Sequence, residues 1–187
     1  IDMSDEEFIK DIETASEIFK KKLGYIPEIF SYPFGEYSLF MKKYISKNFK
    51  VAFGQHSGII DINKDKFELP RFPINEKYGE LKRFKSLINY MPLEYKSLKP
   101  EEKKLIDENN PPQVFVEFFQ EQKNIKNIVC YSNEGGIWGK SKIKFSKNIL
   151  TINFRESFNP RRGRVNCSLN DNGKWRWFGT QFTVKKN

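Results

Sequence analysis

The pattern of apolar positions predicts a helix at the start of the chain. The residues Ser4 and Glu7 have the spacing of a capping box, and Gly24 supplies a stop signal directly after the last apolar position. Between these signals, apolar residues return every three or four positions, as they do on one face of a helix. They are Phe8, Ile12, Ala15, Phe19 and Leu23. We therefore expect one amphipathic helix over residues 4–23.

Short apolar runs then alternate with helical patterns. Residues 29–32 and 51–53 have the length and composition of buried strands, whereas 39–45 and 77–89 carry apolar residues at helical spacing. Strands that alternate with helices in this way indicate a parallel sheet with outer helices. The first part of the chain is thus predicted to be α/β.

From residue 113 onward the apolar pattern changes to a period of two. Turn signals separate six alternating runs, and the pair Asn172-Gly173 between the last two is typical of a hairpin. The predicted strands are 114–119, 125–131, 142–145, 149–154, 164–168 and 174–182. Several short strands at this spacing favour an all-β unit, such as a β-sandwich.

A polar stretch rich in proline separates the two patterns. Such stretches commonly mark domain boundaries. We expect an α/β domain over residues 1–92, a linker over 93–112 with one helical turn near 100–106, and an all-β domain over 113–187.

The charge changes this picture little. The net charge is +9 over 187 residues, but acidic residues alternate with many of the basic ones, which disfavours nucleic acid as a partner. The densest basic cluster, residues 161–164, either binds phosphate or forms a solvated turn between strands. No run approaches the roughly 18 apolar residues of a membrane helix. The sequence leaves the compartment open between periplasm, cell envelope and cytoplasm.

The two cysteines, Cys130 and Cys167, both lie in predicted strands. They are either two buried free thiols or a disulfide that bridges two strands, and a bridge requires Cα atoms closer than about 7 Å. The chain has one histidine. A metal site built from several histidines of this chain is therefore excluded, and we assign no metal ligand here.

Three segments carry a family resemblance: Ser31-Tyr32-Pro33-Phe34-Gly35, Phe53-Gly54-Gln55-His56-Ser57-Gly58 and Leu69-Pro70-Arg71-Phe72-Pro73. In order and spacing they resemble the later motifs of the polysaccharide deacetylases, metal-dependent hydrolases that remove N-acetyl groups from sugar polymers. The resemblance implies the later part of a (β/α) barrel followed by an added β domain.

The family's Asp-Asp and His-x3-His segments do not occur in this sequence. In the family they supply the catalytic base and the ligands of a divalent metal, with zinc as the expected ion. We therefore expect the chain to begin just after them and to be inactive alone.

The resemblance also implies roles for the turn after the first strand. The backbone N–H of Phe34 corresponds to an oxyanion donor, although Ser31 stands where the family usually has arginine. Substrate contacts are expected from Tyr32, Pro33, Gly35 and Glu36.

The two later segments depart further from the family pattern. Gln55 and Ser57 fall on one wall of the groove, and His56 is a general acid, a sugar contact or a structural residue. Arg71 stands where the family has a catalytic histidine. Its guanidinium cannot lose a proton in the working range, so it is expected to hold a carboxylate or a sugar hydroxyl.

Tryptophan offers a second route to sugar binding, because exposed aromatic rings stack on sugar faces. Trp138, in a glycine-flanked turn, is the predicted surface residue, whereas Trp175 and Trp177 are expected on the core face of a strand. The alternative to a deacetylase fragment is a non-catalytic carbohydrate-binding protein. A nucleic-acid-binding module is the third reading. A part-barrel also leaves strand edges unpaired, which predicts either a homodimer that covers the exposed edge or a rearranged first domain.

Overall fold

The computed structural model describes residues 3–119 and 124–185. The first helix, α1 (Asp5–Leu23), confirms the predicted helix and both of its ends. The Ser4 N–H donates to Glu7 Oε2 at 2.7 Å, and the Glu7 N–H donates to Ser4 Oγ at 3.2 Å. Gly24 ends the helix with a φ of 81°. Local sequence signals alone specify this element.

A parallel strand pair follows, as predicted. The strands β1 (Ile29–Ser31) and β2 (Val51–Phe53) pair in register, and helix α2 (Leu39–Asn48) connects them. Strand β1 is not buried as predicted, because Ile29 and Ser31 are exposed. The buried residues of this part form one small cluster. They are Phe8, Ile12, Tyr32, Tyr37, Met41, Ile45 and Ala52.

The segment predicted as a linker is instead part of the β structure. After helix α3 (Leu81–Leu87), which is shorter than predicted, come the short strands β3 (Met91–Pro92), β4 (Ser97–Lys99) and β5 (Lys104–Leu105). No helical turn forms at 100–106; the turn lies at 107–109. The apolar side chains of this segment reach the core, where Leu93 and Leu105 are buried.

The remaining strands form two sheets. Their bounds are β6 (Val114–Glu117), β7 (Val129–Ser132), β8 (Gly139–Lys140), β9 (Lys142–Ser146), β10 (Ile149–Asn153), β11 (Arg161–Asp171) and β12 (Lys174–Val184). A four-stranded sheet has the order β4-β6-β10-β9, and a six-stranded sheet has the order β3-β12-β11-β7-β8 with β5 also on β12. Buried residues of both sheets share one core.

The long hairpin of β11 and β12 organises the six-stranded sheet. Its turn is at Asn172 and Gly173, with φ values of 52° and 86°, as the sequence predicts. Residues 161–164 begin β11, so they are not the solvated turn considered above. Cys130 and Cys167 are opposite each other on β7 and β11 and form a disulfide, with Cα atoms 4.1 Å apart. Of the two alternatives, the cross-strand bridge is the one observed.

Two parts of the chain are named from here on: the N-terminal part (residues 3–90) and the β part (91–119 and 124–185). The N-terminal part lies on the outer face of the six-stranded sheet. Gln181 Nε2 donates to Gly35 O at 3.0 Å, and the Trp177 indole N–H donates to Ser57 O at 3.2 Å. A Cβ at Gly179 would collide with Ser57 O, so this close approach requires glycine.

The fold as a whole is mixed helix and sheet, with mostly strands. In residues 3–119 and 124–185 the parallel strands β1 and β2 form a two-stranded sheet and do not belong to a closed barrel. No helix of these residues is long and apolar enough to cross a membrane.

Candidate functional site

A cavity of about 770 Å³ opens where the two parts meet. Its walls are the loop after β2, the loop before α3, the end of α3, and the outer face of β11 and β12. The name arginine–aromatic cavity is used below because three arginines and five aromatic residues line it. These are Arg71, Arg83, Arg164, Phe72, Tyr78, Tyr90, Trp138 and Trp177.

Five of the residues predicted from the sequence come together around this cavity. Gln55, His56, Ser57 and Arg71 arrive from the N-terminal part, and Trp138 arrives from the turn before β8. Trp138 is 48% exposed, as predicted for a surface residue. Residues that are 83 positions apart in the chain, such as Gln55 and Trp138, thus share one site.

The turn after β1 does not line the cavity but lies next to it. Phe34 is 53% exposed and has a φ of 58°, in the left-handed region that non-glycine residues rarely adopt. Its ring lies 4.6 Å from the Arg161 guanidinium. Gly35 has a φ of 70°, and a Cβ there would be 2.6 Å from the Gln55 backbone nitrogen. Glycine at 35 therefore lets the turn pack closely on the cavity wall.

The side chains of this turn correct part of the prediction. Tyr32 is buried, and its ring stacks on Tyr37 with centroids 4.6 Å apart. It is therefore a core residue and not a surface contact for substrate. Glu36 is also buried, with Oε1 3.4 Å from Arg161 Nη2 and 3.9 Å from Arg162 Nε. Pro33 remains exposed beside Phe34.

His56 lies in the wall between this cavity and a second one. Burial lowers its pKa to about 4, although Glu68 opposes the shift. At neutral pH the imidazole is therefore uncharged and does not suit the role of a general acid. Its Nδ1 is buried and accepts or donates no hydrogen bond within the described part of the chain.

The second cavity, of about 370 Å³, has a different character. Lys42 Nζ is 2.8 Å from Asp65 Oδ2 and 3.0 Å from Glu68 Oε2, and the Tyr37 hydroxyl donates to Glu68 at 3.0 Å. Burial works against the charged amine of Lys42, but the two carboxylates raise its pKa above the ordinary value. Lys42, Asp65 and Glu68 are thus paired with one another in this cavity.

Several residues of the arginine–aromatic cavity were not predicted from the sequence. Trp177 was expected on the core face of its strand, but its ring stacks on Tyr90 with centroids 6.1 Å apart and meets Phe72 edge-on. Trp175 is also off the core face and is exposed. Arg164 alternates with buried Val165 and Gly163 on β11, so the period of two placed it on the outer face. Nothing in the sequence indicated that the N-terminal part covers this face.

The described residues do not fit the metal site that the resemblance implies. Across residues 3–119 and 124–185, no three His, Cys, Asp or Glu side chains come together as possible metal ligands. No reaction step through a metal ion is therefore derived for this chain.

No protein-family model and no curated protein matches the sequence. Several solved structures show a partial likeness, and three of them, described next, each have a TM-score of 0.37. The methionine-rich copper resistance protein PcoC from Escherichia coli is 17% identical and covers 51% of this chain and 100% of its own. CopC from Methylosinus trichosporium OB3b is 17% identical over 50% of this chain and 96% of its own. The endo-beta-1,4-mannanase from Thermotoga petrophila is 13% identical over 98% of this chain and 44% of its own. Likenesses this weak carry no argument about function.

Proposed function

We propose that the chain binds a carbohydrate polymer in the arginine–aromatic cavity and that it is the later part of a polysaccharide deacetylase. The supporting observation is that Gln55, Ser57, Arg71 and Trp138, which the sequence nominates for sugar contacts, line one cavity. Exposed indole rings stack on sugar faces, while amide, hydroxyl and guanidinium groups bond to sugar hydroxyls. The cavity volume lies in the range of about 300–1,000 Å³ usual for ligand sites.

The binding is tested with a hexamer of N-acetylglucosamine and isothermal titration calorimetry. The substitution Trp138→Ala removes an exposed ring at the cavity, and we expect an affinity loss of about tenfold. Trp175→Ala is the matched control, because Trp175 is 44% exposed on the same sheet and does not line the cavity. Equal affinities of the wild type and Trp138→Ala would contradict the proposed site.

The deacetylase part of the proposal rests on the unit of β1, turn, α2 and β2. The family resemblance expects an oxyanion donor at the Phe34 backbone N–H, and Phe34 lies in a turn and is 53% exposed. The chain alone should release no acetate from N-acetylated oligosaccharides and should bind no catalytic zinc. Acetate release by the purified chain would overturn this expectation.

A non-catalytic carbohydrate-binding protein is the second candidate, since sugar binding in the arginine–aromatic cavity requires no catalytic group. The native protein from its source cell separates them, through its intact mass and N-terminal sequence. An additional segment with the Asp-Asp and His-x3-His motifs would favour the deacetylase. A native start close to Ile1 would favour the binding protein.

We also propose that β1 mediates a homodimer. Within the described residues β1 pairs on one side only, with β2, and Ile29 on it is exposed. An unpaired edge with apolar side chains favours strand addition. Sedimentation should give a dimer for the wild type and a monomer for Ile29→Lys. A monomeric wild type would refute this.

A further inference from the structure

We infer that the arginine–aromatic cavity selects glycans that carry carboxylate groups over neutral glycans. This inference rests on the proposed carbohydrate binding and names its ligand class. Three arginines from three separate segments line one space: Arg71 from the loop after β2, Arg83 from α3 and Arg164 from β11. Of the described residues that line the cavity, none is acidic.

The neighbouring cavity shows that this imbalance is local. Lys42, Lys64 and Lys96 line it together with Asp61, Asp65, Glu68 and Glu101, so positive and negative groups are present in nearly equal number. The two cavities share His56, Trp177 and Thr180 as a common wall. A net positive charge of +9 spread evenly over the surface would not produce this contrast.

The three arginines are held by neutral groups. Arg71 Nε donates to Gly54 O at 3.2 Å, Arg83 Nη1 donates to Tyr78 O at 2.7 Å, and Arg164 Nε donates to Gln181 Oε1 at 3.4 Å. Carbonyl and amide acceptors fix a guanidinium without neutralising it. Within the described chain, none of the three forms an ion pair with a carboxylate.

Other arginines of the β part are used differently. Arg155 Nε is 2.8 Å from Glu134 Oε1, and Arg176 Nε is 3.1 Å from Asp171 Oδ2. Arg161 and Arg162 also lie within 4 Å of the Glu36 carboxylate, so among the described residues four of the seven arginines have a carboxylate neighbour and the three cavity arginines do not. Burial and the nearby Arg162 also lower the pKa of Arg164, which a bound anion would counteract.

A carboxylate suits these groups because a guanidinium offers two parallel N–H donors that match its two oxygens. The aromatic residues of the cavity would contact the sugar rings of the ligand. The rings of Trp177 and Tyr90 are stacked with an interplanar angle of 13°, and the indole N–H is fixed on Ser57 O. Trp138 and Tyr78 are exposed rings at the same cavity. A chain in which uronic acids alternate with N-acetylated sugars satisfies both features.

Three hexasaccharides test the inference by calorimetry in about 0.15 M salt, where distant charges are screened. The first alternates N-acetylglucosamine with glucuronic acid. The second is the same molecule with its carboxylates reduced to alcohols, and the third is the neutral N-acetylglucosamine hexamer. We expect the acidic hexasaccharide to bind at least about tenfold more tightly than its reduced form, as a charge-assisted hydrogen bond predicts.

Arg164→Gln should lower the affinity for the acidic hexasaccharide about 10- to 100-fold. It should change the affinity for the reduced form less than about twofold. Lys21→Gln is the matched control, because it removes the same charge from the exposed surface of α1. Arg164→Lys keeps the charge but loses the two parallel N–H donors of the guanidinium. Its affinity for the acidic hexasaccharide should therefore lie between those of the wild type and Arg164→Gln. Arg71→Gln provides an independent variant if Arg164→Gln does not fold.

Each further outcome has a distinct meaning. Equal binding of the acidic and reduced hexasaccharides would overturn the inference and leave the proposed function intact. Failure of all three to bind would remove the proposed function itself. An equal loss in Lys21→Gln, or displacement by a short DNA strand, would show general attraction to polyanions and overturn the selectivity.

Discussion

The N-terminal part and the β part bury their apolar residues to different extents. In the β part, residues from both sheets and from the short strands share a continuous core that runs from Leu93 to Val184, and a disulfide joins two of its strands. In the N-terminal part, the second half of α1 leaves Phe19 and Leu23 exposed, although they lie on its apolar stripe. The β part therefore has the larger share of hydrophobic stabilisation.

This difference in burial indicates which part of the molecule supports the candidate site. A small core gives a segment little independent stability, so we expect the N-terminal part to depend on its contacts with the outer face of β12. The cavity lies at that contact. The N-terminal part supplies twelve of the residues that line the cavity, and the β part supplies five.

The difference in stability between the two parts is tested most directly by truncating one core residue in each. Phe182 and Ile45 are both 0% exposed. Phe182→Ala should lower the free energy of unfolding of the whole molecule by about 3–5 kcal/mol. Ile45→Ala should cost about 2–5 kcal/mol, but only for the opening of the N-terminal part.

Amide hydrogen exchange distinguishes global from local loss. We expect Phe182→Ala to reduce protection throughout, and Ile45→Ala to reduce it in α1 and α2 while β11 and β12 keep theirs. Trp175→Ala, at an exposed position, should stay within about 0.5 kcal/mol of the wild type. Equal loss of protection in β11 for Ile45→Ala would show that the two parts unfold as one unit.

A smaller loss of folding stability is expected at low pH, because His56 in the wall of both cavities gains a proton. Its folded pKa of about 4 lies below the ordinary value of 6.5, so the unfolded chain binds the proton more strongly. The associated stability is fully present above pH 6.5 and is lost as the pH falls through 4. The loss amounts to roughly 3 kcal/mol at most.

The measurement is urea unfolding at several pH values for the wild type and His56→Gln. The variant cannot gain this proton, so its stability should depend less on pH between 7 and 4 than that of the wild type. Carboxylates that titrate in the same range affect both proteins and cancel in the difference. Parallel curves for the two proteins would contradict a depressed histidine pKa.

The sequence predicted those elements whose signals are local. The capping box and Gly24 define α1, and Asn172 with Gly173 defines the hairpin, because a few neighbouring residues determine each of these conformations. The short strands β3 and β5 were missed. Strands of two residues show no periodicity, and they form only because β12 offers its hydrogen-bonding groups.

The candidate site was predictable only in part, for the same reason. Gln55, Ser57 and Arg71 follow β2 closely in the chain, so sequence order brings them near one another. Arg164 and Trp177 enter the cavity through the packing of the N-terminal part on the sheet. Contacts between residues more than a hundred positions apart leave no local signal, and the alternation on β11 alone indicates a polar face without its partner.

The smallest predicted loss of stability comes from removing the Gln181 hydrogen bonds between the N-terminal part and the β part. Gln181 donates to Gly35 O at 3.0 Å and to Phe34 O at 3.3 Å, across the boundary between the two parts. Gln181→Ala removes these bonds and leaves the buried Gly35 carbonyl without its donor, so we expect a loss of about 1–3 kcal/mol. The loss should appear in hydrogen exchange as lower protection in α2 and β2, with β7 and β11 unchanged. Gln113→Ala, at an exposed position of the β part, is the control and should lie within about 0.5 kcal/mol of the wild type. If Gln181→Ala leaves the N-terminal part as protected as before, its stability comes from its own core, and the cavity does not depend on this contact.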